Sequence, residues 1–175
     1  MGKINQESSR KRIVEKPIKY DLNGYEIVKD AILEIINQCP ATEKEVAFGV
    51  LGETYGFAMI PISSSVIESR KKSITGKVTE VCYYPFSLIY RDAGMNEKRK
   101  LEVSEMLDDI GKWLEKQEII VNDEKYKLSE YPTLTGNRKF LEIQRQTNSY
   151  LANTYEDKSE DWEIRITARY ENEYK

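Results

Sequence analysis

Few side chains in this sequence could carry out chemistry, because the 175 residues include no histidine. That absence excludes Ser-His-Asp and Cys-His nucleophiles, histidine zinc sites and a histidine general base. Cys39 and Cys82 are too few for a disulfide framework or a thiolate zinc site, and we expect two reduced thiols. The nine glycines are scattered and form no phosphate-binding loop. We therefore assign no catalytic, cofactor-binding or metal-binding residue.

Paired carboxylates are the remaining candidates for catalysis. Asp108 and Asp109 are adjacent in a predicted helix, where neighbouring side chains point about 100° apart, so they form a poor catalytic pair. The acidic segment 156–161 lacks the glycine and the ligand order of an EF-hand loop. The sequence favours a protein that is not an enzyme, although a histidine-free enzyme that uses carboxylates stays open as an alternative.

Tyrosines and arginines near the predicted strands are candidates for a protein interface. Tyrosine suits an interface because its ring can be buried while its hydroxyl still finds a partner. Arginines on an exposed strand face can pair with acids across a subunit boundary. The ordinary alternatives are the strand preference of aromatic residues and a solvated charged face. The candidates are Tyr83, Tyr90, Tyr150, Arg165 and Arg169.

Charge and hydropathy limit the partners. Charged residues make up 33% of the chain, but the net charge is −3 and neither half is strongly basic, so a nucleic-acid partner is not expected. No window approaches the 18 or more apolar residues of a membrane span, so no membrane partner is expected. The N-terminus lacks the apolar region of a secretory signal, which predicts a protein made in the cytoplasm.

Apolar periodicity predicts the elements that position these residues. Asn23 and Glu26 have the spacing of a capping box for a helix that ends at Cys39-Pro40. A second helix is predicted over about 97–117, followed by a mixed segment, 118–136. The predicted strands are 44–51, 55–62, 66–72, 77–91, about 139–154, and a final strand that ends near residue 171.

The two long strands define the fold class. Strand 77–91 has apolar groups on both faces, so we expect both to be covered by helices or by a neighbouring subunit; Pro85 indicates an edge position or a bulge. The final strand alternates apolar and charged residues and should form a hairpin with 139–154. These patterns predict an α+β fold, with an antiparallel or mixed sheet and two main helices packed on one face. We predict that residues 1–20 form a flexible polar and basic arm and that residues 21–175 form one domain.

The order of motifs resembles the tail-terminator and minor-capsid proteins of siphophages and prophages of Gram-positive bacteria. The resemblance covers residues 24–172. A longer arm and a more charged segment 118–136 depart from the family pattern. The motifs are Cys39-Pro40, Leu51-Gly52-Glu53, Ile60-Pro61, Trp113-Leu114-Glu115, Tyr150-Leu151, Glu156-Asp157 and the alternating run from Ile164 to Tyr170.

The resemblance implies a subunit that assembles into a ring, commonly a hexamer, at the head-proximal end of the tail tube. Such a ring stops tube polymerisation and joins the tail to the head. The implied partners are further copies of the chain, the tail tube protein and the head connector or neck proteins, and the implied location is the virion after assembly in the bacterial cytoplasm. Another neck, head-completion or minor-capsid protein, or a monomeric binding module, remain alternatives.

Overall fold

Two sixteen-residue strands, β4 (Val78–Ala93) and β9 (Ser159–Tyr174), form the centre of the fold. They pair antiparallel over their full length, from Val78 opposite Tyr174 to Ala93 opposite Ser159. The computed structural model describes residues 19–175. The other elements are α1 (Leu22–Asn37), β1 (Ala47–Phe48), β2 (Gly56–Pro61), β3 (Val66–Lys72), α2 (Glu97–Leu114), β5 (Ile119–Val121), β6 (Glu124–Tyr126), β7 (Arg138–Arg145) and β8 (Tyr150–Thr154).

Seven strands form one mixed sheet, with the β4–β9 pair at its centre and shorter strands on both sides. β2 and β3 pair one after the other along the free side of β4, and β8 and β7 do the same along β9. β1 adds a short parallel pairing to β2, and β5 and β6 form a separate hairpin. The sheet therefore ends in short strands, while its centre is two strands of unusual length.

Both helices pack on the same face of the sheet, which confirms the predicted α+β architecture. The even-numbered residues of β4 from Cys82 to Tyr90 are fully buried there. They contact the apolar sides of both helices and the apolar side of β9 in one core. The sequence predicted that both faces of this strand would be covered, by helices or by a neighbouring subunit, and the two helices of residues 19–175 cover this one. α2 lies close to the sheet at Gly111, where an added Cβ would meet the Arg145 side chain at 2.3 Å.

The residue that caps α1 differs from the prediction. Asp21, not Asn23, is the N-cap, and its Oδ1 accepts a hydrogen bond of 2.9 Å from the Gly24 amide. The same carboxylate binds the Arg138 guanidinium through two nitrogens, at 2.8 and 3.0 Å, and accepts a bond from the Tyr170 hydroxyl. Asp21 therefore joins the start of α1 to β7 and β9, which capping statistics alone could not reveal.

The prediction of an edge or bulge at Pro85 is wrong, because Pro85 lies in the central strand opposite Thr167. Its carbonyl accepts a hydrogen bond of 2.9 Å from the Ile62 amide, so its nitrogen faces the same side, towards β2 and β3. β2 ends at Pro61 and β3 begins at Val66. The amide hydrogen that proline lacks would therefore point to the place where β2 has ended and β3 has not yet begun.

Three other segments differ from the predicted strands. Residues 44–51, predicted as one strand, contain only the two-residue β1; Val46 is buried and Val50 is exposed. Residues 139–154 form two strands, β7 and β8, which pair with different parts of β9. The segment 118–136, for which no strand was predicted, contains the β5–β6 hairpin.

The predicted N-terminal arm lies outside the described residues except for its end. Lys19 and Tyr20 run beside β3: the Ile67 amide donates to the Lys19 carbonyl at 2.8 Å, and Tyr20 forms a bridge with Val66. Lys19 and Tyr20, which the prediction assigned to the arm, therefore contact β3.

Candidate protein–protein interface

The face of the sheet opposite the helices is the candidate interaction surface. We call it the helix-free face. Its side chains are partly exposed, except that Ser87 and Glu163 are buried, and it combines apolar side chains on β4 with alternating charges on β9. It consists of Val81, Tyr83, Pro85, Ser87 and Ile89 of β4 and Glu163, Arg165, Thr167, Arg169 and Glu171 of β9. None of these residues belongs to the core beneath the helices within residues 19–175.

The strand register brings four of the five predicted interface residues together on this face. Tyr83 is directly opposite Arg169, and Ser87 is opposite Arg165. Tyr150 of β8 is opposite Glu163 and therefore lies on the same side of the sheet. All four side chains keep some exposure to solvent.

The prediction for Tyr90 is corrected, because this residue is buried on the opposite face. Its ring packs edge-on against Tyr55 and Phe57. Its hydroxyl accepts a hydrogen bond from Arg99 at 2.9 Å, and Lys44 lies at 3.4 Å. A fully buried tyrosine with these contacts belongs to the core and offers no surface to a partner.

Glu163 is the centre of one charged group on the helix-free face. Its Oε1 accepts hydrogen bonds from the Ser87 hydroxyl at 2.7 Å and from Arg165 Nε at 2.8 Å. Burial acts to raise the pKa of Glu163, but the bonds from Arg165, Ser87 and Tyr150 together lower it below its ordinary value. Burial, followed by the nearby Glu163 charge, raises the pKa of Tyr150. Glu163 is therefore ionised and Tyr150 neutral at neutral pH.

Arg169 forms a second charged group with two acids that the sequence did not indicate. Its guanidinium donates to Glu142 Oε1 at 2.6 Å and to Glu68 Oε2 at 3.0 Å. Glu68 lies 101 residues away along the chain and Glu142 lies 27 away, so only the pairing of β3 and β7 with the centre brings them together. No sequence signal identifies such a triad before the register is known.

This arrangement is chemically suited to being covered by protein. Removing water from charges that are already paired costs less free energy than removing it from isolated charges. Tyrosines and arginines beside apolar side chains are also typical of interfaces. The helix-free face can therefore form a contact whose polar groups keep their partners.

The other candidate chemical groups have structural roles in the described residues. Asp108 accepts bonds from the Ser149 amide and hydroxyl, whereas Asp109 pairs with Lys112, so the two carboxylates diverge as predicted. Burial raises the pKa of the Cys39 thiol to about 11 and that of the Cys82 thiol to about 12, which keeps both protonated. Residues 19–175 contain no group of three acidic, cysteine or histidine side chains placed to hold a metal ion.

Comparison of the sequence with models of known protein families and with curated proteins finds no match. Neither helix of residues 19–175 is long and apolar enough to cross a membrane.

Proposed function

We propose that this chain is a structural protein of a bacteriophage or prophage tail, a terminator that assembles into a ring at the head-proximal end of the tail tube. The observation that carries the proposal is the helix-free face, where four predicted interface residues lie together beside paired charges. The order of sequence motifs, which resembles that of tail terminators, gives this surface its proposed role. The ring stops tube polymerisation and joins the tail to the head.

The partners in this proposal are other copies of the chain, the tail tube protein and the head connector or neck proteins. Assembly is stoichiometric and involves no turnover, and the assembled protein is part of the virion. Each subunit of a closed ring uses two different, complementary patches. The helix-free face is one contact surface of the subunit.

The chemistry of the carboxylates favours assembly over catalysis. A carboxylic acid that donates a proton near neutral pH needs a raised pKa. Hydrogen bonds and ion pairs lower the pKa of each described carboxyl group that departs clearly from its ordinary value; these are Asp21, Glu43, Asp157, Asp161, Glu163 and Glu173. Such groups are suited to holding arginine, lysine or serine, and not to general acid catalysis.

Reversing the charge of Arg165 and Arg169 tests the helix-free face. The variant Arg165→Glu/Arg169→Glu would place like charges beside Glu163, Glu68 and Glu142. We expect the ring population in native mass spectrometry to fall at least tenfold at a fixed protein concentration. Circular dichroism during heating should still show a cooperative transition, because both arginines are partly exposed.

The matched control is Lys112→Glu/Lys125→Glu. These lysines also belong to exposed ion pairs, with Asp109 and Glu118, but lie on α2 and on β6. The control should assemble like the unchanged protein. Equal assembly of the Arg165→Glu/Arg169→Glu variant would remove the helix-free face from the ring contact.

A further inference from the structure

The two ends of the β4–β9 pair carry opposite charge and both expose apolar side chains. We call residues 70–77, the last part of β3 and the turn that connects it to β4, the basic end. The acidic end consists of the loop 49–55, Asp92 and the turn 155–158 between β8 and β9. The sixteen-residue strand β4 runs from one end to the other, over about 50 Å. One copy of the chain therefore cannot bring its own two ends into contact.

The basic end is a well-defined turn with free cations. The Ser73 amide donates to the Lys77 carbonyl at 2.8 Å, and Gly76, at φ +84°, donates to the Ser73 carbonyl at 3.0 Å. Lys71 and Lys72 are exposed, and no carboxylate of residues 19–175 pairs with them, whereas Lys77 pairs with Glu173. Ile74 is fully exposed at the tip. This end thus presents an apolar side chain beside two unpaired positive charges.

Arg91 holds the acidic end together. Its guanidinium donates to the Gly52 carbonyl at 3.0 Å, to the Tyr155 hydroxyl at 3.0 Å, and to both oxygens of Asp161 at 2.6 and 2.8 Å. Burial acts to raise the pKa of Asp161, but its bonds from Arg91 and Tyr155 lower it overall. The loop 49–55 and the turn 155–158 are therefore fixed next to each other.

The fixed acidic end carries more negative than positive charge. Lys158 is the one cation of the turn 155–158. Asp161 pairs with Arg91 and Glu160 with Lys100, but the other acids of this end form no ion pair within residues 19–175. Val50, Tyr55 and Tyr155 are exposed among them and supply apolar surface. The unpaired acids are Glu53, Asp92, Glu156 and Asp157.

We propose that the basic end of one copy docks on the acidic end of a second copy. Both halves of the contact are present on the same chain, with opposite charge and with apolar groups at each, so a second copy is the partner that this chemistry fits. The inference rests on the proposed function, that the chain self-assembles, and adds the contact that orders the copies head to tail.

Head-to-tail docking explains how a ring could form at all. Copies that met only through the same helix-free face would form a symmetric dimer, because such a contact is satisfied by two subunits. Two different complementary ends instead leave one free end at each step until the ring closes. The helix-free face can then add a second contact between neighbouring copies.

A charge-swap experiment tests the contact. One variant, Lys71→Glu/Lys72→Glu, reverses the basic end, and a second, Glu53→Lys/Glu156→Lys, reverses the acidic end; all four side chains are exposed. Each variant alone has two ends of like charge, so its ring population in native mass spectrometry at low salt should fall at least tenfold. An equal mixture of the two should recover assembly, because every end of one variant then opposes every end of the other. The control is again Lys112→Glu/Lys125→Glu, which should assemble normally.

The outcomes separate this inference from the proposed function. Rings formed by both variants alone would overturn end-to-end docking and leave the proposed function standing. A monomer of the unchanged protein at every concentration would overturn both. Open filaments that disappear in each variant and return in the mixture would support the end contact and contradict the terminator.

Discussion

At the scale of single residues, Asp21 connects the most distant parts of the chain. Its buried carboxylate caps α1, binds Arg138 of β7 and accepts a hydrogen bond from Tyr170 of β9, which is 149 residues away. Burial acts to raise the pKa of Asp21, but the bonds from Arg138, Gly24 and Tyr170 lower it overall, below 3.8. Asp21 therefore stabilises the fold as an anion.

The variant Asp21→Asn tests this role, since asparagine keeps a capping oxygen but removes the charge opposite Arg138. We expect the free energy of unfolding in urea at pH 7 to fall by about 3 kcal/mol or more, because a buried guanidinium loses its counter-ion. Because the pKa is lowered in the folded protein, this contribution is complete well above pH 3.8 and is lost as the pH falls through the folded value. The difference between wild type and variant should therefore shrink in acid.

Asp109→Asn is the control for this prediction, because Asp109 pairs with Lys112 at a more exposed position. Its loss should stay below about 1 kcal/mol, as is usual for surface pairs. Equal losses in the two variants, or a difference for Asp21→Asn that does not change between pH 7 and pH 3, would contradict the role given to Asp21.

At the scale of elements, the central strand β4 accommodates Pro85 because the strand that pairs with β4 changes there from β3 to β2. Pro85→Ala should change the free energy of unfolding by less than about 1 kcal/mol, since the restored amide would face the gap between β2 and β3. Ile89→Pro is the matched change on the same side of the strand, opposite Ala58 of β2. It removes a ladder hydrogen bond and leaves a carbonyl without its donor, at a cost of about 2 kcal/mol or more.

Urea unfolding followed by circular dichroism measures both variants. A large loss for Pro85→Ala, or a negligible loss for Ile89→Pro, would show that the change of partner strand does not explain the tolerance of Pro85.

The elements also show which features can be predicted from the sequence and which depend on strand pairing. Side chains in a strand alternate regardless of their partners, so the sequence separated the two faces of β4, but it did not show which of them the helices cover. The position of Pro85 and the triad around Arg169 depend on which strands pair, and a single sequence does not contain the register. Tyr90 was assigned to an interface for its residue type, and because both faces of β4 carry apolar groups, the sequence could not show that its face lies beneath the helices.

At the scale of the whole molecule, the sheet is asymmetric in two directions. Across its thickness, one face is covered by two helices and the other carries paired charges and tyrosines. Along its length, one end presents free lysines and the other free carboxylates. A subunit with both asymmetries can direct its neighbours into one orientation, which a ring requires.

Native mass spectrometry of the unchanged protein over a range of concentrations tests the central claim, self-assembly into a ring, most directly. We expect one discrete oligomer, most tellingly a hexamer, whose population grows with concentration and declines as salt screens the charged ends. A strict monomer at every concentration and at low salt would contradict it and would favour a monomeric binding module instead.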